Sequence, residues 1–187
     1  FLAMALCFLW TTADAADTIK IGLMAPLTGS YASEGKEMKQ VVELLAADLN
    51  AKGGLLGKQV ELITDDDGSD AKTAALAAQR LTTRGVMAVI GTYGSSVTEP
   101  SQGILNEAKI IQIANGSTAI RLSEKGLKYF FRTCPRDDEQ GKVAVAAIEK
   151  MKALEEKVGR EQAALLGKTP APAPAPAGPT ITIDDFA

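Results

Sequence analysis

Apolar and polar positions along this chain follow two rhythms that replace one another. Thr18–Ala25 (TIKIGLMA) is a nearly continuous apolar run of strand length. Met38, Val41, Val42, Leu45 and Leu49 then recur at helical spacing, which predicts a helix over Glu34–Lys52 with one apolar stripe. Gly53-Gly54 closes it, and Gln59–Thr64 (QVELIT) alternates like a second strand. Ala71, Ala74, Ala75, Ala78 and Leu81 form the next helical face, small enough for close packing. The alternation continues with a strand at Val86–Ile90, a helix at Ser96–Ala108, a strand at Ile110–Ala114 and a short strand at Tyr129–Arg132. A last amphipathic helix starts near Asp137 and carries Val143, Ala147, Met151 and Leu154 in register.

Such alternation predicts right-handed βαβ units. The fold class is α/β, a doubly wound, mostly parallel sheet covered by helices on both faces. In these sheets ligands bind at the carboxyl ends of the strands, near helix N-termini. The loops after Ala25, Thr64, Ile90 and Ala114 are therefore where chemistry is expected.

The two ends differ from this middle. Phe1–Trp10 is almost wholly apolar and is followed by Ala13-Asp14-Ala15, a small-x-small pattern. Residues 1–15 read as the apolar core and cleavage region of a secretory signal, too short for a spanning helix. Cys7 lacks the small neighbours of a lipoprotein site. At the other end, five of the eight prolines fall between Pro170 and Pro179 in a Pro/Ala run, an extended linker that cannot build a core.

Composition narrows the chemistry. A net charge of −3 gives no reason to expect nucleic acid or an anionic membrane as partner. The chain has no histidine, which excludes Ser-His-Asp and Cys-His catalysis and HExxH zinc sites. Without the signal segment a single cysteine, Cys134, remains, beside Pro135 and without a histidine to activate it.

Two motifs suggest sites and fail on inspection. The run from Gly53 to Lys58 follows a helix, has the wrong glycine spacing for a phosphate loop, and reads as a helix-to-strand turn. Asp65-Asp66-Asp67-Gly68-Ser69-Asp70 invites calcium, yet Asp70 stands where an EF-hand needs glycine and Leu76 where it needs glutamate. A strand-end turn and an N-cap explain it, so no metal is expected.

Two other loops have ligand chemistry. Gly91–Ser96 leaves a strand and enters a helix, bringing the Ser95 hydroxyl and backbone N–H to a positive helix terminus suited to a carboxylate. Asn115–Thr118 leaves the next strand with a glycine carbonyl at Gly116 beside two hydroxyls, acceptors for an ammonium group. Helix capping alone would explain either loop. Together, on successive strand ends, they favour a small polar-ligand site.

The ordered set Thr18-Ile-Lys-Ile-Gly, Pro26–Gly29, Asp48–Gly54, Asp65-Asp66, Ile90-Gly91, Ser95–Pro100, Phe131–Thr133 and Asp138–Gly141 resembles the leucine/isoleucine/valine-type binding proteins of ABC importers, over roughly Thr18–Lys152. The resemblance implies a two-lobed periplasmic receptor of type I fold that closes on a branched-chain or related amino acid and delivers it to a membrane permease. It implies that Ser95, Gly116 and Thr118 hold the ligand's carboxylate and ammonium, with Glu34 a weaker, peripheral candidate. A disulfide of some members would join the positions of Ser69 and Gly94, so this chain does without it. No cofactor, metal or catalysis is implied. Ligand-discriminating groups would come from the second lobe.

On this reading residues 1–15 are signal, 16–132 the first lobe, 133–152 the hinge crossing and first helix of an incomplete second lobe, 153–169 a charged helix, and 170–187 the linker and tail. The tail resembles the end of bacterial methionyl-tRNA synthetase, where such a linker precedes Ile-Thr-Ile-Asp-Asp-Phe-Ala, here Ile181–Ala187; a join of two reading frames near Met151–Glu155 or a natural low-complexity tail would both produce it. A lone lobe leaves one side of the ligand in water, so weak binding is expected. The alternative is a ligand-sensing domain of the same fold. A nucleotide-using Rossmann enzyme lacks its G-x-G-x-x-G after the first strand, and a DNA-binding regulator would need an N-terminal helix-turn-helix.

Overall fold

The computed structural model describes residues 18–167, so the expected signal segment and the Pro/Ala run lie outside the described residues. Ten elements alternate: β1 (Ile19–Ala25), α1 (Ala32–Ala51), β2 (Val60–Asp66), α2 (Ala71–Thr83), β3 (Ala88–Ile90), α3 (Ser95–Glu107), β4 (Ile111–Ala114), α4 (Arg121–Glu124), β5 (Phe130–Arg132) and α5 (Asp137–Leu165). The strands form one sheet in the order β2-β1-β3-β4-β5, every pair parallel. The α/β doubly wound sheet with helices on both faces is thus present. Strand order reverses direction at β1, so right-handed crossovers send α1 to one face and α2 and α3 to the other.

The turns follow their chemistry. After α1, the Gly54 N–H bonds back to the Leu49 carbonyl at 2.9 Å and closes the helix, so the Gly53–Lys58 run is the expected helix-to-strand turn. Asp70 caps α2, accepting from the Thr73 N–H at 2.8 Å. Behind it, Arg80 grips the buried Asp65 with Nε at 3.0 Å and Nη2 at 2.5 Å, fastening α2 to the end of β2.

The core lies on the α2/α3 face. Met24, Val89, Ala77, Ala78, Leu81, Leu105, Val86 and Ile110 form one buried cluster, with Ile63 and Ile104 packed against it. Small side chains on α2 let it approach the sheet closely. The buried face is Ala74, Ala77, Ala78 and Leu81, whereas Ala71, expected in that row, is exposed in the first turn.

The opposite face is covered unequally. Register places Leu23, Ile90, Ile113 and Phe131 in one row facing the α1 side. Leu23 is fully buried beneath α1, while Phe131 is 54% exposed. The expected α1 stripe is only partly packed: Val41 and Leu45 are exposed, and Met38, Val42 and Leu49 are half-buried. The helix is long enough to cover β1 and β2, and no other described element lies over β3–β5 on that side. Helix α5 buries no residue at all, so its apolar stripe is likewise open. None of the described helices is long and apolar enough to cross a membrane.

These two environments differ energetically. Truncation Leu81→Ala should cost about 3 kcal/mol of unfolding free energy in urea melts, because it empties a packed site. By contrast Leu44→Lys, at a position 71% exposed on α1, should stay within about 0.5 kcal/mol.

Candidate functional site

The carboxyl edge of the sheet gathers the loops after β1, β2, β3 and β4. Asp66, the last residue of β2, clamps the first two together. Its Oδ1 accepts from the N–H groups of Leu27 (2.8 Å), Thr28 (3.2 Å) and Gly68 (2.8 Å), and Oδ2 accepts from the Thr28 hydroxyl at 2.6 Å. Burial works against the charged carboxylate, yet the Thr28 hydroxyl and the three backbone donors outweigh it and hold Asp66 below its ordinary value. Ser69 adds to the clamp, accepting from the Tyr31 N–H at 3.0 Å and donating to the Thr28 carbonyl at 3.1 Å. A hydroxyl at this position thus ties the loops where the resemblance implied a cysteine in other members.

Asp67 turns the other way and is 1% exposed. Only Oδ1 is used, accepting from the Ser69 N–H at 2.9 Å; Oδ2 has no partner among the described residues. Burial, aided by the neighbouring Asp66 charge, raises its pKa to about 6. The run Asp65–Asp70 therefore divides its carboxylates among an ion pair, a loop clamp, a buried acid and a helix cap. Among the described residues no group of three or more ligating side chains could hold a metal.

The loops after β3 and β4 are joined by buried hydroxyls. Gly91 has φ +111°, and a Cβ there would stand 1.9 Å from the Met24 carbonyl oxygen, so only glycine lets β3 leave the sheet along this path. Beyond it, Thr92, Thr98 and Ser117 are fully buried. Thr98 Oγ1 contacts the Thr92 hydroxyl and lies 2.5 Å from Ser117 Oγ, which also reaches the Tyr93 carbonyl at 3.1 Å. Arg132 on β5 holds the second loop from behind, donating from Nη1 to the carbonyls of Ser117 (3.1 Å) and Ala119 (3.0 Å). Cys134 donates its thiol to the same Ser117 carbonyl at 3.3 Å, a structural contact.

This frame settles where each predicted residue sits. Ser95 is the first residue of α3, whose N-terminus has Gly94 as N-cap and no side-chain cap. Its Oγ accepts from the Ala119 N–H at 3.2 Å, bridging the two loops and leaving its own O–H free to donate. Gly116 and Thr118 are half-buried on the facing loop. Neither the Gly116 carbonyl nor the Thr118 hydroxyl is taken by another described residue; the Thr118 carbonyl accepts from the Asp137 N–H at the start of α5. The geometry thus brings Ser95 and the Gly116–Thr118 segment together. It separates Ser117 from them: that hydroxyl, expected beside Thr118 in the site, points inward.

Glu34 stands on the first turn of α1. With Glu37, Met38, Val41, Val42, Ile90, Tyr93 and Asn115 it lines a groove of about 420 Å³ on the α1 side. The Ser33 hydroxyl, donating at 2.7 Å, holds its carboxyl below the ordinary value. Tyr93 is the residue that sequence reasoning missed. Its ring lies against Gly116, where a Cβ would come within 2.6 Å of it, and packs on Tyr31 with centroids 5.3 Å apart. The only sequence signal was an aromatic inside a glycine-rich loop.

Comparison with known proteins agrees with this architecture. The family described as periplasmic binding protein matches residues 18–177, beyond the Lys152 limit expected from the motifs. Over 123 residues the chain is 42% identical to Leu/Ile/Val-binding protein homolog 2 of Brucella abortus, covering 66% of this chain and 33% of the relative. It is similar to LivJ, the branched-chain amino acid transporter substrate-binding protein of Streptococcus pneumoniae, solved with isoleucine: 32% identity, TM-score 0.62, 65% of this chain and 35% of that one. A Rhodopseudomonas palustris solute-binding protein solved with 4-hydroxybenzoate gives 27% identity and TM-score 0.62, over 73% of this chain and 36% of that one. The chain spans about a third of the length of the curated relatives it matches.

Two measurements probe the frame. Asp67 binds a proton more tightly folded than unfolded, so its contribution to stability is complete below pH 3.8 and is lost as pH rises through about 6. Asp67→Asn should therefore gain on the wild type by about 2–3 kcal/mol of unfolding free energy between pH 3.5 and pH 7. Ser117→Ala should cost about 1–3 kcal/mol and speed amide exchange in both loops, because it leaves buried acceptors and Thr98 short of a partner.

Proposed function

The chain belongs to the periplasmic binding proteins, and from that premise we propose that it is the ligand-binding lobe of an extracytoplasmic receptor serving an ABC importer. Its ligand is an amino acid of the branched-chain class or a related small carboxylate. The observation that carries this reading is the α3 N-terminus without a side-chain cap, with a Ser95 O–H beside a Gly116 carbonyl and a Thr118 hydroxyl that no other described residue uses.

The chemistry follows from those groups. The ligand carboxylate sits on Ser95 Oγ and the N–H groups of the first turn of α3, where the helix dipole favours negative charge. An α-ammonium donates to the Gly116 carbonyl and Thr118 Oγ1. Glu34, ionised in the groove it shares with Tyr93 and Asn115, adds electrostatic attraction for that ammonium. Isoleucine and 4-hydroxybenzoate, the ligands named for two solved relatives, share a carboxylate and little else. A site built first around carboxylate recognition accounts for both.

Binding here is reversible and needs no cofactor, metal or bond making, so the protein is not an enzyme. Its working place is the periplasm, with a membrane permease as downstream partner and no nucleic acid. Residues 16–132 form the lobe. The proposed divisions at 133–152 and 153–169 share one helix, since α5 runs unbroken through residue 152. A lobe acting alone holds one side of the ligand, and affinity falls because the hydrogen bonds stay in contact with water.

Titration of the isotope-labelled chain with leucine should shift the amides of Ser95, Ser96, Gly116 and Thr118, with a dissociation constant on the order of 1 mM. Ser95→Ala should weaken it about tenfold, and isopentylamine, which lacks the carboxylate, should leave the Ser95 and Ser96 amides unmoved. Saturation with leucine without movement of these four amides would reject the assignment.

A further inference from the structure

The loop after β4 is held from behind by one short stretch of chain. Its successive carbonyls at Ser117, Thr118 and Ala119 all accept hydrogen bonds from residues 132–137. Arg132 Nη1 donates to two of them, Ser117 at 3.1 Å and Ala119 at 3.0 Å, so both of its hydrogens are used. The Cys134 thiol adds a second bond to the Ser117 carbonyl at 3.3 Å, and the Asp137 N–H donates to the Thr118 carbonyl at 3.1 Å. From the other edge of the guanidinium, Nε and Nη2 fork onto Ser123 Oγ on α4, Nε at 3.0 Å. The group is thus fixed on both edges, and it is rooted where the loop begins. Arg132 pairs with Ala114 in the sheet, and the Thr133 N–H donates to the Ala114 carbonyl at 3.0 Å.

These bonds leave Thr118 little freedom. A peptide group is planar, so fixing its carbonyl or its N–H fixes the whole unit. Arg132 fixes the unit before Thr118 through the Ser117 carbonyl. The unit after it is fixed by the Thr118 carbonyl on Asp137 and by the Ala119 N–H on Ser95 Oγ at 3.2 Å. With both planes set, the Thr118 hydroxyl is confined to the staggered positions about χ1. Bonds donated by a charged group are roughly twice as strong as neutral ones, so Arg132 is the strongest member of this frame.

We propose that Arg132 is the positioning residue of the ammonium subsite. It acts through the loop: it draws the Ser117 and Ala119 carbonyls backward, and so leaves the Gly116 carbonyl and Thr118 Oγ1 to face an α-ammonium. The role is one of geometry, because the charge of Arg132 taken alone would repel that ammonium. The inference rests on the reading of Ser95, Gly116 and Thr118 as the ligand site, and its test separates the two.

The full chain is titrated with leucine and with 4-methylpentanoate, which is leucine without its amino group, and the loop amides are followed. The wild type should prefer leucine about tenfold. Arg132→Lys keeps the charge and loses the planar fork. It should weaken leucine about tenfold and leave 4-methylpentanoate within about twofold, erasing the preference. Ser123→Ala, at an exposed position, removes the anchor of the fork and should weaken leucine alone by about threefold. Unmoved amides at Leu81 and Val89 establish that the core is intact; where Arg132→Lys disturbs them, Ser123→Ala decides. Equal weakening of both ligands, or a leucine preference that survives these substitutions, would overturn the positioning role and leave the site standing. A wild type without the preference would remove the ammonium subsite itself, and the role of Arg132 with it.

Discussion

Handedness at β1 governs nearly everything else in this molecule. A crossover between parallel strands of one sheet is right-handed in nearly every case, and β1 has its neighbours on opposite sides: β2 to one, β3 to the other. Helix α1 must therefore leave on one face while α2 and α3 take the other. Where the crossovers part, the carboxyl edge between β1 and β3 is left to the loops, which carry polar groups there. The proposed site owes its position to topology before any of its side chains is considered.

Those side chains then divide into groups that build the edge and groups left over to face a ligand. Asp66 spends its carboxylate on four donors, and Thr92, Thr98 and Ser117 spend their hydroxyls on one another and on nearby carbonyls. Their burial makes these bonds costly to leave unmade, so both loops hold one shape. Ser95, Gly116 and Thr118 are held by that frame yet keep hydrogen-bonding capacity that no other described residue uses. Ligand affinity depends on such preorganisation, because little ordering remains to be done at the moment of binding.

How much of this was legible in the sequence follows from what leaves a periodic trace. Strand runs and helical stripes do, and the five strands and the first three helices were recognisable to within a few residues. The small face of α2 was visible too, though Ala71 was included and Ala77 overlooked at its margin. Irregular loops leave no period. Ser117 and Thr118 are adjacent hydroxyls, and only the chain path decides that one turns inward to Thr98 and the other outward. Asp66 and Asp67 pose the same difficulty at the end of β2, where alternation sends one carboxylate to the loop backbone and its neighbour into the interior. Tyr93 was hidden for a different reason: its contacts with Gly116 and Tyr31 span 23 and 62 residues of sequence.

Periodicity also predicts more burial than the structure delivers, and the two cases differ in kind. The α1 stripe is broad and continuous with the apolar row of Ile90, Ile113 and Phe131, a surface that only a layer could cover. A layer needs several elements, and α1 alone reaches β1 and β2. The α5 stripe is narrow, and no described residue covers it. Width thus separates the two faces: a broad apolar sheet face needs a layer, a narrow stripe needs one packed neighbour, and periodicity states the demand without naming what meets it.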